Sequence, residues 1–205
     1  MEELKQRVKS GYSRPWVVSK YSKVGLWPSE QMLCDEFWEP KGRILDLGCG
    51  AGRTTVPLAQ DGYRVVGLDL AKPMVNQAKR SADLLERKCT LCVGDAAALP
   101  FFDNSFSGIP FSYNGIELIP KQTGKRQVLE EALRILHPGG HLIFTTHAFE
   151  AFNKYAPARI QRLCLHLLNC ALRRNEPGAE IGEIIPEPTR TVEVYYMQIN
   201  SPRTY

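Results

Sequence analysis

Short apolar runs alternate with helix-like segments through the middle of the chain. Each run is short enough for a buried strand, and the segments between them repeat apolar residues every three or four positions, as one buried helix face does. Five such alternations with short links predict an open α/β sheet of mostly parallel strands, with helices on both faces. The runs are residues 43–47, 63–69, 89–95, 105–114 and 141–147.

Two of the predicted helices have definite apolar faces. The helix that starts near Pro73 should bury one face, and the helix before residue 141 should bury another and close at Pro138-Gly139-Gly140. The first face comprises Val75, Ala78, Ala82 and Leu85. The second face comprises Leu129, Ala132, Leu133 and Leu136.

The segments on either side of this region have different patterns. Residues 1–40 are rich in aromatic side chains and predict a helical cap or lid over an α/β domain at 41–205, whose core is 41–148. Beyond residue 150 we expect a long helix with one buried face, a loop over 175–190 and a last strand over 191–199. The buried face comprises Ile160, Leu163, Cys164, Leu167, Leu168 and Ala171.

Composition limits location and partners. No apolar run approaches the roughly 18 residues of a membrane-spanning helix, and no apolar stretch follows the charged start of the chain, so we expect a cytoplasmic protein without a membrane partner. The net charge of +4 is scattered, which argues against nucleic acid as a partner. Cys89 and Cys92 form a lone CxxC within a predicted strand, so we interpret them as strand thiols and expect no metal site.

The stretch ILDLGCGAGRTT, residues 44–55, places three glycines directly after the first predicted strand. Glycines at such a turn let backbone amides approach a ligand closely. A dinucleotide site favours the spacing G-x-G-x-x-G, because its pyrophosphate lies on the helix end. Here the spacing is G-x-G-x-G, at Gly48, Gly50 and Gly52, which suits a smaller ligand without a pyrophosphate.

Acidic residues end the next two predicted strands. Asp69 ends the second strand, where a carboxylate can accept both ribose hydroxyls of a nucleoside. Asp95 ends the third strand, where a carboxylate or its neighbouring amides can read an adenine edge. Leu70 and Ala96 flank these acids and can enclose the base. Three successive strand ends therefore predict a site for a nucleoside-bearing ligand.

These motifs, together with FSYNGIELI and ALRILHPGGHLIFTTH, resemble those of class I S-adenosylmethionine-dependent methyltransferases over about residues 40–148. The resemblance implies a Rossmann-like fold, S-adenosyl-L-methionine as cofactor and S-adenosyl-L-homocysteine as product. It implies that the three glycines pass under the methionine part and that Asp46 lies beneath their loop. It also implies that Asp69 holds the ribose and that Asp95 with Ala96 holds the adenine. The remaining expected cofactor contacts are Cys49, Leu70, Met74 and Tyr113.

The implied reaction is an in-line displacement in which a substrate nucleophile takes the methyl group, and it needs no protein nucleophile or metal. Tyr113 and His147 are candidate catalytic residues, the latter as a general base. The segment SYNG lacks the Pro-Pro motif of enzymes that methylate base amino groups, and no proline precedes a cysteine, which disfavours both base-methylating subclasses. The segments FSYNG and TTH resemble those of small-molecule methyltransferases, which implies a small-molecule acceptor. Candidate lid or substrate contacts are Tyr12, Trp16, Tyr21 and Asn114.

The chain also departs from the family pattern. Ser107, Gly108 and Pro110 interrupt the fourth predicted strand, and proline costs a central strand one ladder hydrogen bond. The family fold has seven strands, and we expect the last to be missing, as in a truncated chain. A second subunit can fill the sheet edge that this leaves, so we expect either a monomer or a homodimer. Two other functions stay open: an NAD-dependent oxidoreductase, and a catalytically silent S-adenosylmethionine-binding regulatory protein.

Overall fold

A computed structural model describes residues 1–86 and 88–146, together with isolated positions further on. Five parallel strands form one sheet in the order β3-β2-β1-β4-β5, which confirms the predicted open α/β fold. Strand order reverses at β1, so β2 lies on one side of it and β4 on the other. The strands are β1 (Arg43–Leu47), β2 (Arg64–Asp69), β3 (Thr90–Val93), β4 (Phe106–Phe111) and β5 (Leu136–Phe144).

Helices precede the sheet and connect its strands. Prolines begin several of them: Pro15 and Pro28 start α2 and α3, and Pro73 is the second residue of α5, where its missing N–H costs no hydrogen bond. Pro57 lies in the first turn of α4 for the same reason. The helices are α1 (Glu2–Tyr12), α2 (Pro15–Tyr21), α3 (Pro28–Phe37), α4 (Thr55–Gln60), α5 (Lys72–Leu84) and α6 (Lys121–Ile135), with a 3₁₀ helix at Gly115–Leu118.

Apolar side chains fill both faces of the sheet, as expected for parallel strands. On one face, Leu45 and Ile109 belong to a buried cluster that includes Val128 and Ala132 of α6. On the other face, Ile44 packs in a cluster with residues of α3 and α4. The sheet is therefore covered on both sides.

Two of the predicted helix faces are corrected by the structure. Leu85 follows the end of α5 and is 48% exposed, and Leu133 of α6 is 65% exposed. The buried face of α6 includes the predicted Ala132 together with Val128 and Ile135, spaced by four and then three residues, and the predicted Leu129 packs partly buried against the same core. The helix ends at Ile135 and β5 begins at Leu136, before the Pro-Gly-Gly segment, so Leu136 is buried in a strand rather than on the helix.

Few positions beyond residue 146 are described. Residues 157, 160, 161, 164, 165 and 168 are helical, as predicted, but Ile160, Cys164 and Leu168 are exposed rather than buried. Leu163, Leu167 and Ala171 lie outside the described residues. A two-stranded antiparallel pair joins β6 (Glu183–Ile184), within the predicted loop, to β7 (Met197–Gln198), within the predicted last strand. The absence of a seventh family strand stays a prediction.

The described helices include none that is long and apolar enough to cross a membrane.

The irregular composition of β4 has a structural reason. Gly108 lies against the indole ring of Trp38, and a Cβ there would meet the ring, with Trp38 Cδ1 only 2.8 Å away. Strand β4 pairs with β1 at Gly108–Ile44, and Pro110, which lacks an N–H, lies two residues further along β4. On the other side, Pro110 pairs with Ile143 of β5. Strand β4 therefore keeps its place while its ladder with β1 is short.

Replacing Gly108 with alanine should lower the free energy of unfolding by about 1–3 kcal/mol, because the added methyl group overlaps the buried Trp38 ring. Urea denaturation measures the change. Gly25→Ala is the matched control, since a Cβ at Gly25 would have no atom within 4 Å. Equal stability losses in the two variants would contradict this account of β4.

Candidate functional site

A cavity lies at the carboxyl ends of the strands, beneath α1 and α2. This is the edge where ligands bind in open α/β sheets, near the reversal of strand order. Most of the predicted cofactor contacts and two of the predicted lid residues line it. These residues are Gly48, Cys49, Gly50, Asp69, Leu70, Met74, Asp95, Ala96, Tyr113, Tyr12 and Tyr21.

The three glycines of the turn have different surroundings. All have left-handed φ angles, of 68°, 52° and 90° for Gly48, Gly50 and Gly52, which glycine adopts without strain. A Cβ at Gly50 would meet nothing within 4 Å and would extend into open space. A Cβ at Gly52 would lie 3.2 Å from Ala78 of α5, and Gly52 does not line the cavity. Gly50 therefore leaves the space beside the turn free of side-chain atoms, whereas the lack of a side chain at Gly52 lets α5 pack closely against the turn.

Asp69, at the end of β2, is held by two backbone amides. Its Oδ2 accepts a hydrogen bond of 2.9 Å from the Gly50 amide, and its Oδ1 accepts one of 2.8 Å from the Ala71 amide. Burial raises the pKa of the Asp69 carboxyl, and the two amide hydrogen bonds oppose that rise. Each carboxylate oxygen keeps acceptor capacity beyond these bonds, because a carboxylate has about four lone-pair sites.

Asp46 does not line the cavity but lies buried beneath it, 1% exposed. Its Oδ2 accepts a hydrogen bond of 2.6 Å from the Thr55 hydroxyl, which ties β1 to the first turn of α4. Burial raises the pKa of Asp46 to about 7, and the Thr55 hydrogen bond opposes the rise. Asp46 is therefore placed to shape the glycine turn rather than to touch a ligand.

Asp95, after β3, has both carboxylate oxygens engaged. Oδ1 accepts a hydrogen bond of 3.0 Å from the Ala97 amide. Oδ2 lies 2.6 Å from the ammonium nitrogen of Lys5, which belongs to α1. Sequence reasoning found the acid but not its partner, because the two residues are 90 positions apart.

Tyr113 follows β4 in a constrained turn. Tyr113 and Asn114 have φ angles of 55° and 59°, and two consecutive non-glycine residues in the left-handed region store backbone strain. The Asn114 amide donates a hydrogen bond of 2.8 Å to the Thr145 hydroxyl, which helps to hold the turn. The Tyr113 ring contacts the rings of Tyr21 and Trp27, with centroids 5.5 and 5.2 Å away. The strained turn therefore directs this ring into the cavity wall.

Arg53, which follows the third glycine, was not predicted as a site residue. It lines the cavity while only 8% exposed, and its guanidinium forms a 2.5 Å ion pair with the buried Glu30 of α3. It also donates a 2.7 Å hydrogen bond to the Gly25 carbonyl. The guanidinium carbon lies 5.3 Å from the Trp27 ring centroid and 5.2 Å from that of Tyr113. A charged residue beside a glycine-rich turn was the available signal, but its partners lie in segments far from it in the sequence.

The remaining predicted contacts lie elsewhere. Trp16 is 39% exposed, and neither Trp16 nor Asn114 lines the cavity. His147 lies outside the described residues, so its role as a general base stays a prediction. Sequence reasoning missed a largely apolar part of the wall because no motif marks it. That part includes Val8, Lys9, Ala51, Phe111, Leu118 and Ile119.

Comparisons with known proteins agree with this geometry. A family model described as a methyltransferase domain matches residues 44–140. A demethylmenaquinone methyltransferase from Beutenbergia cavernae is 38% identical over 133 residues, covering 65% of this chain and 47% of that protein. A solved S-adenosylmethionine-dependent methyltransferase from Aquifex aeolicus is 25% identical with a TM-score of 0.56, covering 69% of this chain and 77% of that one.

Over residues 44–140 the chain resembles the class I S-adenosylmethionine-dependent methyltransferases in both sequence and fold. The fold likeness extends further in a methyltransferase structure from Methanosarcina mazei, with a TM-score of 0.69 at 21% identity over 88% of this chain and 81% of that one. The chain spans about half the length of the curated relatives it matches.

Asp46 should make stability depend on pH. Its folded-state pKa of about 7 exceeds the ordinary value of about 4, so the folded chain binds more protons than the unfolded chain between these pH values. The stability linked to its protonation is present in acid and is lost as pH rises through about 7. Replacing Asp46 with asparagine removes this titration.

We follow the difference in the free energy of unfolding between the parent and Asp46→Asn, as parent minus variant. This difference should fall as pH rises from 5 to 7, by at most about 1.4 kcal/mol per pH unit, and then level off. Urea denaturation at several pH values measures it. The exposed Asp61→Asn change controls for loss of one carboxylate. A difference that stays constant from pH 5 to 7 would show that Asp46 is not buried as described.

Proposed function

We propose that this chain transfers the methyl group of S-adenosyl-L-methionine to a small-molecule acceptor. The observation that carries the proposal is the meeting of Gly50 and Asp69 in one cavity, with 2.9 Å between the Gly50 nitrogen and an Asp69 carboxylate oxygen. The turn has no side chain at Gly50, so a ligand can lie against its backbone, and the Asp69 carboxylate beside it is held in a fixed orientation. The family match covers both residues and supports the proposal.

The cavity residues fit this cofactor. In the proposal, Gly48 and Gly50 lie under the methionine part, and Asp69 accepts the ribose hydroxyls with the lone pairs that its amide donors leave free. Asp95 and Ala96, at the end of the neighbouring strand, hold the adenine edge. Leu70 and Met74 supply apolar contacts from the same wall.

Bound S-adenosyl-L-methionine supplies an electrophilic methyl group on its sulfonium. The chain binds and orients the reactants and keeps the site dry. Helices α1 and α2 place Tyr12 and Tyr21 over the cavity, and the turn at Tyr113 closes its side. Positioning of this kind can supply about 7–11 kcal/mol of an activation barrier.

Aromatic rings cluster at one end of the cavity and favour a planar, largely apolar acceptor. Tyr12 and Tyr21 meet edge to face with centroids 5.5 Å apart, and Tyr21 meets Tyr113 at the same distance. The match to a demethylmenaquinone methyltransferase supports a ring-bearing small molecule. Tyr113 is the candidate to contact the acceptor, and we keep His147 as the candidate general base.

The parent chain should bind S-adenosyl-L-homocysteine and not NADH in isothermal titration calorimetry. Asp69→Ala should weaken that binding about 10- to 100-fold, because hydrogen bonds to a charged group are lost from the ribose. Asp83→Asn, on the exposed side of α5, is the control for loss of a carboxylate. Tight NADH binding, or unchanged affinity in a folded Asp69→Ala protein, would refute the assigned site.

Methyl transfer itself should appear as incorporation of label from methyl-labelled S-adenosyl-L-methionine into one of a panel of naphthoquinols and phenols. The folded Asp69→Ala protein should incorporate at least about tenfold less at subsaturating cofactor, because its cofactor site is weakened. Mass spectrometry of the products identifies the accepting atom. Binding of the cofactor without transfer to any ring-bearing acceptor would favour the catalytically silent alternative.

A further inference from the structure

Helix α1 presents one face to the cavity. Residues 5, 8, 9 and 12 are three or four positions apart, which places them on the same side of a helix. Val8, Lys9 and Tyr12 line the cavity, and Lys5 forms an ion pair with Asp95 at its rim. This face of α1, formed by Lys5, Val8, Lys9 and Tyr12, therefore covers part of the cavity, and we call it the roof.

The roof extends from one end of the site to the other. Lys5 contacts Asp95, the residue proposed to hold the adenine, whereas Tyr12 contacts Tyr21, which in turn contacts Tyr113 at the acceptor end. The seven positions between Lys5 and Tyr12 correspond to about 10 Å of helix. A cofactor lying between these ends is covered by α1, so it cannot leave over this side without movement of the helix.

The ion pair also orients the carboxylate. The Ala97 amide holds Oδ1 of Asp95 at 3.0 Å, and the Lys5 ammonium holds Oδ2 at 2.6 Å. Both oxygens keep a further lone pair for an amino group of a base. The Lys5 nitrogen also lies 3.6 Å from a carboxylate oxygen of Glu2, whose side chain is 70% exposed, so Asp95 is the nearer and less exposed of these two partners.

We propose that Lys5 is a positioning residue: its ion pair with Asp95 holds α1 closed over the cofactor and fixes the carboxylate that faces the adenine. This inference rests on the proposed cofactor site. Lys5 and Asp95 are 22% and 33% exposed, so the pair is weak enough to open and is sensitive to salt. Breaking it speeds cofactor release without altering the bonds that hold the ribose.

The test is the release of labelled S-adenosyl-L-methionine after a chase with excess unlabelled compound. Lys5→Gln should release it about two- to five-fold faster than the parent, and Lys5→Arg should restore a rate near the parent's. Raising the salt concentration should speed release from the parent and have little effect on Lys5→Gln. Lys23→Gln, an exposed lysine of the α2–α3 connection, is the control for loss of one positive charge.

A double-mutant cycle identifies the partner. In an Asp95→Asn background, Lys5→Gln should cause no further change in the release rate, because the partner charge is already gone. A release rate of Lys5→Gln equal to the parent's, or an equal acceleration in the Asp95→Asn background, would overturn the inference. Failure of the parent chain to bind the cofactor at all would instead refute the proposed function.

Discussion

The hydrogen bond from the Gly50 amide to the Asp69 carboxylate is the contact on which the rest of the site depends. It joins the turn after β1 to the end of β2, and the Ala71 amide ties the same carboxylate to the approach to α5. A carboxylate that is partly removed from water is costly unless it is hydrogen-bonded, and the Gly50 amide donates that bond from a left-handed glycine. One side chain thus fixes the geometry of three elements around the ligand-facing backbone.

The sequence predicts those parts of the fold that depend on neighbouring residues. Strand β1 is buried at four of its five positions, so its apolar run was a sufficient signal. The acids at 69 and 95 could be placed beside the glycines because parallel strands end at a common edge. The predicted parallel α/β sheet is confirmed for this reason, whereas the ligand contacts of these residues stay predictions.

Contacts between distant segments could not be predicted in the same way. Arg53 pairs with Glu30 across 23 positions, and Lys5 pairs with Asp95 across 90, with no periodicity to indicate either pair. The buried face of α6 was misjudged because Leu133 is apolar but lies on a side that no other element of the described residues covers. Periodicity reports which residues are apolar, but the packing of other elements decides which of them are buried.

The Arg53–Glu30 ion pair has a consequence for the role of α3. A guanidinium beside a sulfonium-bearing ligand would repel it, but Glu30 supplies a counter-charge 2.5 Å away. That counter-charge comes from α3, outside the sheet. Removing α3 would therefore leave an uncompensated guanidinium in the cleft, and that end of the cleft would then repel a cationic ligand and attract an anionic one.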